Sequence, residues 1–327
     1  MTRYARQEAK AFAREKLQGI WAAALTPFAS DLSIDEAGFR SNIRHWVDHL
    51  GIAGLFIAGK QGEFFSMSVA ERKRCFEVAV SETAGRAGTI MSCSDQNMDV
   101  VIDLARHAEA VGADLIVVHA PVLHFLKERD ETLLAYYRHI AAQVNIGIAL
   151  WSHPDSGYLM SPELCVRLAE IPNVVAIKYS VPREMYVRLS RLAGDKLIVS
   201  TASEEEWLDN ILELGWRCYL CSNPPFLVQT ASDQRMREYT ELAFRGDAEK
   251  ARRVRDSLEP VRQALKSTRP PEKPHAHAKY WQDLLGQAGG PVRQPMLDLT
   301  EAERARTRAA FEACGLRVSS TLRSSAA

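Results

Sequence analysis

Eight short apolar runs, each followed by a stretch of helical spacing, limit what this chain can fold into more than any other feature. They are IWAAAL (20–25), AGLFIAG (53–59), TIMSC (89–93), DLIVVHA (114–120), IGIALW (146–151), VVAIKY (174–179), KLIVST (196–201) and RCYLCS (217–222). Each run is short for a helix and nearly continuous in apolar residues, which is how a strand buried on both faces reads. The intervening helices carry their own start signals. Ser33-x-x-Glu36, Ser68-x-x-Glu71 and Ser203-x-x-Glu206 fit the capping box, and Ser161-Pro162 places an N-cap before a proline at the first helical position. Eight βα units over roughly 200 residues predict an α/β fold of the (β/α)8 type, a TIM barrel with a C-terminal helical extension. A doubly wound open sheet is the alternative. No run leads into a G-x-G-x-x-G turn, so the usual dinucleotide fingerprint is missing.

The pattern divides the chain into an N-terminal helical extension (1–18), the barrel (19–247), a helical region (248–316) and a disordered tail (317–327). Residues 3–17 read as a helix added to the surface. In the helical region KARRVRDSLEPVRQAL, AKYWQDLLGQ and EAERARTRAAFEACG have helical spacing, separated by the breakers in STRPPEKP and GGPVRQP. The 41 basic and 41 acidic residues cancel. Neither nucleic acid nor an anionic membrane surface is therefore expected as a partner. No apolar run is long enough to span a bilayer, and the N-terminal MTRYARQEAKAFAREK lacks the apolar centre of a signal peptide, so a cytoplasmic location is expected. Six cysteines in 327 residues are too sparse for a disulfide scaffold. Cys218 and Cys221 lie within one strand, where positions i and i+3 face opposite ways, and read as core packing.

One residue is out of keeping with its strand. In NVVAIKYS (173–180) an apolar run ends on Lys178. Burying an ammonium group costs several kcal/mol unless it is paired or loses its proton. Either the strand ends at the surface and Lys178 is ordinary, or the fold holds a perturbed amine there. In barrels of this type active sites lie at the C-terminal ends of the strands, and Lys178 is at the end of strand six. A desolvated lysine can attack a ketone to form a Schiff base whose protonated nitrogen withdraws electrons. Other polar residues fall at matching strand ends: Lys60, Gln61 and Glu63, Ser94 and Asp95, His119 and His124, Trp151, Ser152 and His153, Thr201 and Ser203, Ser222 and Asn223. The glycines Gly59 and Gly62 around Lys60 and Gln61 suggest a tight turn at a ligand site, though an ordinary βα turn reads the same way. His119, His124 and His153 match no metal-ligand spacing, and no metal is expected.

On these residues the chain resembles the dihydrodipicolinate synthase / N-acetylneuraminate lyase superfamily of class I aldolases, over about residues 19 to 316. TPF (26–28) matches its opening strand, GKQGEFFSMSVAER (59–72) its strand-two G-[ST]-[ST]-G-E loop and LWSHP (150–154) its Tyr-Asn-x-Pro segment. AIKYS (176–180) matches its Schiff-base strand, and HAK (277–279) with GGPVRQPMLDLTEAE (289–303) its C-terminal region. The resemblance implies a Schiff-base lyase, an aldolase or hydratase-aldolase acting on a pyruvate-derived 2-oxo acid. Lys178 would be the nucleophile and the covalent imine would take the place of any cofactor. It also implies a substrate carboxylate facing Gly59, Lys60, Gln61 and Gly62, with His153, Thr201 and Ser222 around the substrate, and a homodimer or homotetramer. A dehydratase or decarboxylase using the same lysine, or a non-catalytic barrel binding a small anion, are the alternatives. Three departures bear on these. Lys60 and Gln61 replace the hydroxyl pair of the strand-two loop. Trp151 replaces the tyrosine that relays protons and cannot exchange them near neutral pH. Val122 and Leu123 stand where paired tyrosines are expected. Dihydrodipicolinate synthesis itself is accordingly expected to be weak or absent. Lys60, if it lies beside Lys178, would lower that lysine's pKa by repulsion; if it bends to water it would not.

Overall fold

The computed structural model describes residues 3–124 and 127–318. Its strands are β1 (Gly19–Ala23), β2 (Gly54–Ile57), β3 (Gly88–Ser92), β4 (Leu115–His119), β5 (Gly147–Ser152), β6 (Val174–Tyr179), β7 (Ile198–Ser200) and β8 (Cys218–Leu220). All run parallel, paired in the order β7-β6-β5-β4-β3-β2-β1-β8. The remaining seam is bridged by the Ser200 hydroxyl, which accepts from the Leu220 N–H at 2.8 Å. Helices alternate with the strands and the C-terminal helices follow. The (β/α)8 barrel read from the sequence is therefore the fold.

Two apolar cores result. Residues such as Ile57, Leu150 and Ile177 pack between strands and outer helices, while Trp21, Phe56, Ile90, Val117, Ala149 and Leu220 fill the barrel. Trp21 forms much of the barrel floor, and β2 and β3 make room for it with glycine. A Cβ on Gly54 would lie 2.2 Å from the Trp21 ring, and one on Gly88 would lie 2.1 Å from it. The helix Ala9–Lys16 closes the N-terminal end of the barrel. Its Ala9 and Ala13, with Leu17, are buried in the inner core, and the Tyr4 hydroxyl donates to the Asp114 carbonyl at 2.6 Å and accepts from the Gly147 N–H at 2.9 Å. The extension is thus a plug rather than a surface addition. Its small apolar face of Ala9, Ala13 and Leu17 is what holds it in the barrel.

The start signals divide. Ser68 and Glu71 form a reciprocal cap, and Ser161 caps its helix by accepting from the Leu164 N–H. Ser33 does not: Ile34 bridges to Phe28, which keeps the chain extended, and Asp35 caps the helix Glu36–Asp48 instead. Ser203 does not either, because Glu206 accepts from the Tyr186 hydroxyl and the helix begins only at Trp207. KARRVRDSLEPVRQAL is two helices, Ala248–Asp256 and Glu259–Thr268, since Pro260 is tolerated only in a first turn. Thr300 and Glu303 form a cap that the sequence reading passed over. All six cysteines are buried free thiols. From 319 onward the predicted tail lies outside the described residues; Arg317 is still held, its N–H donating to Asp233 at 3.1 Å.

Which way Lys178 faces depends on one extra residue. The β5–β6 register runs Ile148↔Val174 and then Ala149↔Ala176, so β6 carries a bulge at Val175. Val175 and Ala176 consequently both belong to the inner core, Ile177 turns outward, and Lys178, opposite Trp151, turns in. Without the bulge the alternation would send Lys178 to the helix side.

Candidate active site

Lys178 is 3% exposed. Its ammonium donates to the Cys221 carbonyl at 2.7 Å and sits 5.1 Å from the Phe56 ring centre and 5.2 Å from that of Trp151. Burial pushes its pKa down to about 8, and the nearby charge of Lys60 acts in the same direction. A mostly desolvated amine with one neutral acceptor and two aromatic faces has no carboxylate to hold its proton. It opens onto a cavity of about 460 Å³, counting its mouth, at the C-terminal end of the barrel.

The strand-two loop forms one wall of that mouth. Ala58 and Glu63, on either side of the segment Gly59–Gly62, both have left-handed backbone, with φ of 50° and 59°. Such conformations in non-glycine residues persist only where neighbours impose them. Here the neighbours are C-terminal: Glu63 is fully buried in an ion pair with Lys279 at 2.5 Å and accepts from the Arg293 N–H at 3.1 Å, while His275 Nε2 lies 2.9 Å from the Lys60 carbonyl. Burial lowers the pKa of Lys279, against the pull of Glu63. Gly59, Lys60 and Gln61 line the cavity. Gly62 instead lies against the segment after β1, where a Cβ would stand 3.0 Å from Thr26 Oγ1 and 3.1 Å from the Ala24 carbonyl.

Across the mouth, the segment after β5 carries a cluster of polar side chains. Lys60 pairs with Asp155 Oδ2, and Asp155 Oδ1 lies 3.1 Å from His153 Nδ1. Although burial works the other way, the Lys60 ammonium and the His153 ring hold the Asp155 carboxyl below its usual range. Burial lowers the pKa of His153, helped by Lys60 and Lys178 and opposed by Asp155. His119 sits 4.8 Å from the Trp151 ring, with its Nε2 3.3 Å from Ser156 Oγ, and burial pushes its pKa down to about 4. Lys60 is thus neither free in water nor set chiefly against Lys178. It is tied to Asp155, and burial is the larger cause of the Lys178 shift.

Of the residues picked from the sequence, the fold brings Lys178, Trp151, Lys60, Gly59, Gln61, His153 and Ser222 around one cavity, with Ala23, Phe56, Val117, Ser180 and Ala202. Gly62 and Thr201 are outside its lining. The buried Trp151 Nε1 and Ser180 Oγ have no hydrogen-bond partner among the described residues. Sequence reasoning passed over Asp155, Ser180 and the Glu63–Lys279 pair. Asp155 had a readable signal, an acid two residues after His153 in a post-strand turn; the pair, 216 positions apart in sequence (279 − 63), had none. Among the described residues no group of three His, Cys, Asp or Glu side chains could hold a metal ion, and no helix is long and apolar enough to cross a membrane.

Residues 16–314 match the model described as the dihydrodipicolinate synthetase family. A protein of Bradyrhizobium sp. (strain ORS 278) named "Probable 5-dehydro-4-deoxyglucarate dehydratase" is 30% identical over 301 residues, covering 90% of this chain and 91% of its own. A 4-hydroxy-tetrahydrodipicolinate synthase of Bradyrhizobium diazoefficiens is 27% identical over 93% of this chain and 99% of its own. Among solved structures, YagE of E. coli K12, a prophage protein of the dihydrodipicolinic acid synthase family in complex with pyruvate, superposes with a TM-score of 0.81 at 23% identity, over 92% of this chain and 99% of its own.

Proposed function

This chain belongs to the dihydrodipicolinate synthetase family, and from that premise we propose that it is a Schiff-base lyase acting on a pyruvate-derived 2-oxo acid through Lys178. The observation that carries the reading is the buried amine itself, inward-facing at the end of β6 with its pKa lowered to about 8. At neutral pH about a tenth of it is unprotonated, enough for attack on a ketone carbon. Loss of water then gives a protonated imine, an electron sink that lets either the C3–C4 bond break, as the C4 hydroxyl gives up its proton, or a proton leave C3, after which the enamine expels the C4 oxygen. The substrate carboxylate is received by the Lys60–Gln61 edge of the strand-two loop. The indole N–H of Trp151 and the hydroxyl of Ser180, both buried without a partner, are further donors at the same cavity. The covalent imine replaces a cofactor, so activity should survive dialysis against a chelator.

Dehydration is the second reading within this class, favoured by the 30% identical relative whose name is a dehydratase. It shares every step up to the protonated imine with aldol cleavage; from there a C3 proton leaves and the enamine expels the C4 oxygen, where aldol cleavage breaks the C3–C4 bond. A homodimer or homotetramer in the cytoplasm completes the proposal, supported by family membership and to be tested by light scattering at micromolar concentration and by fractionation. The decisive experiment is reduction with borohydride in the presence of pyruvate and a panel of longer 2-oxo acids, followed by peptide mapping. A mass increase on Lys178, lost in Lys178→Met, is the expected result. No adduct with any 2-oxo acid would overturn the lyase and favour a barrel that binds a small anion.

A further inference from the structure

Resting on the reading of Lys178 as an imine-forming nucleophile, we propose that His153 exchanges the substrate proton at this site, with Asp155 as its positioning residue. Trp151 stands where a proton-relaying tyrosine was expected, and the indole is a donor that does not exchange its proton near neutrality. Of the other side chains lining the cavity, Gln61, Ser180 and Ser222 do not titrate in that range and Lys60 is tied to Asp155. His153 is the one imidazole in that lining. His119 lies beside Trp151 with its Nε2 against Ser156 and is not part of the lining.

The geometry around His153 suits the role. Its Nδ1 faces a donor and an acceptor of the same residue: the Asp155 N–H at 3.2 Å and Asp155 Oδ1 at 3.1 Å. The ring can therefore hold either tautomer without turning. Asp155 is steadied through its other oxygen by Lys60. The turn Pro154–Ser156 is pinned to the segment after β4 by the Ser156 hydroxyl, which donates to the Ala120 carbonyl at 2.8 Å. The groups that face the imidazole are Asp155 from its own loop, Lys60 from the strand-two loop, Lys178 from β6 and His119 from β4. Two cations against one carboxylate, with partial burial, favour the neutral ring. With Nδ1–H donated to Asp155 Oδ1, Nε2 is the base. It takes the proton from C3 of the protonated imine; the C–H electron pair becomes the C2=C3 bond, the C=N π pair returns to nitrogen, and an enamine and an imidazolium result. The imidazolium is then the acid for the following step.

The test separates imine formation from C3 proton transfer. Pyruvate is incubated in D2O and exchange of its methyl protons is followed by NMR, in parallel with borohydride trapping. His153→Gln is expected to keep trapping on Lys178 while exchange falls by roughly 10²–10⁴-fold, the usual range for a lost general base. Asp155→Asn is expected to shift the pH midpoint of exchange downward, because Asp155 raises the His153 pKa and its loss leaves Lys60 unopposed. Unchanged exchange in His153→Gln would overturn the proposal. Trapping that falls in step with exchange would overturn it too, since the defect would then precede the C3 step. Should His153→Gln fail to fold, Asp155→Asn decides, and an unmoved midpoint sinks the idea. A wild-type protein that forms no adduct refutes the parent reading, and this one with it.

Discussion

Lys178 owes its lowered pKa to burial at the end of its strand more than to any charged neighbour. Burial is the main cause of its lowered pKa, about 8, and Lys60 adds to it while tied to Asp155. The sign then follows: the amine is protonated below pH 8 and nucleophilic above. Initial rates of imine trapping should rise about tenfold per pH unit below the midpoint and level off above it, with stopped-time borohydride reduction as the measurement. Lys60→Met should move that midpoint upward by well under one unit, because only the smaller influence is removed. A shift of two units would mean that repulsion, not burial, governs the site. Condensation of pyruvate with aspartate semialdehyde should be slow or undetectable, since Lys60 and Gln61 replace the hydroxyl pair and Val122 and Leu123 the paired tyrosines; a coupled assay at ordinary enzyme concentration checks it.

The strands owe their closeness around the barrel floor to two glycines. Trp21 occupies the space that side chains at 54 and 88 would otherwise fill. Gly54→Ala and Gly88→Ala should each destabilise the protein by about 1–3 kcal/mol through overpacking against the indole, read from urea unfolding. Trp21→Leu placed behind Gly88→Ala should recover part of that loss. If both alanine variants unfold at the wild-type midpoint, the floor is looser than the packing implies. The bulge at Val175 is the other local device. Were Val175 instead paired with Ala149 in unbroken register, Lys178 would stand opposite Ser152 and every residue after the bulge would reverse its facing.

At the level of the whole chain, the C-terminal helices complete the active-site mouth rather than merely decorate the barrel. Lys279, from the helix Pro274–Leu284, reaches Glu63 at the far end of the strand-two loop, and both are fully buried. Lys279→Met should cost about 3–5 kcal/mol by leaving a buried carboxylate without its partner, and should slow imine trapping as the loop loses its anchor. Adding Glu63→Gln should restore much of the stability, measured by the same urea titration. A double variant no more stable than the single one would argue that the pair matters for something other than charge compensation.

The eight strands, their parallel order and the place of Lys178 near a strand's C-terminal end were legible in the residues, because burial on both faces writes apolar runs of strand length into a sequence. Local caps were legible only where nothing competed for the same side chain: Ser68 kept its partner, while Glu206 was taken by Tyr186. Lys60 and His153 could be named in advance, but their joint grip on Asp155 could not, since those loops are 95 positions apart (155 − 60) and meet only when the barrel closes. The Glu63–Lys279 contact was out of reach for the same reason. Lys178's inward facing turned on a single bulged residue, which alternation along one strand cannot reveal, because a bulge exists only relative to the neighbouring strand it is paired with.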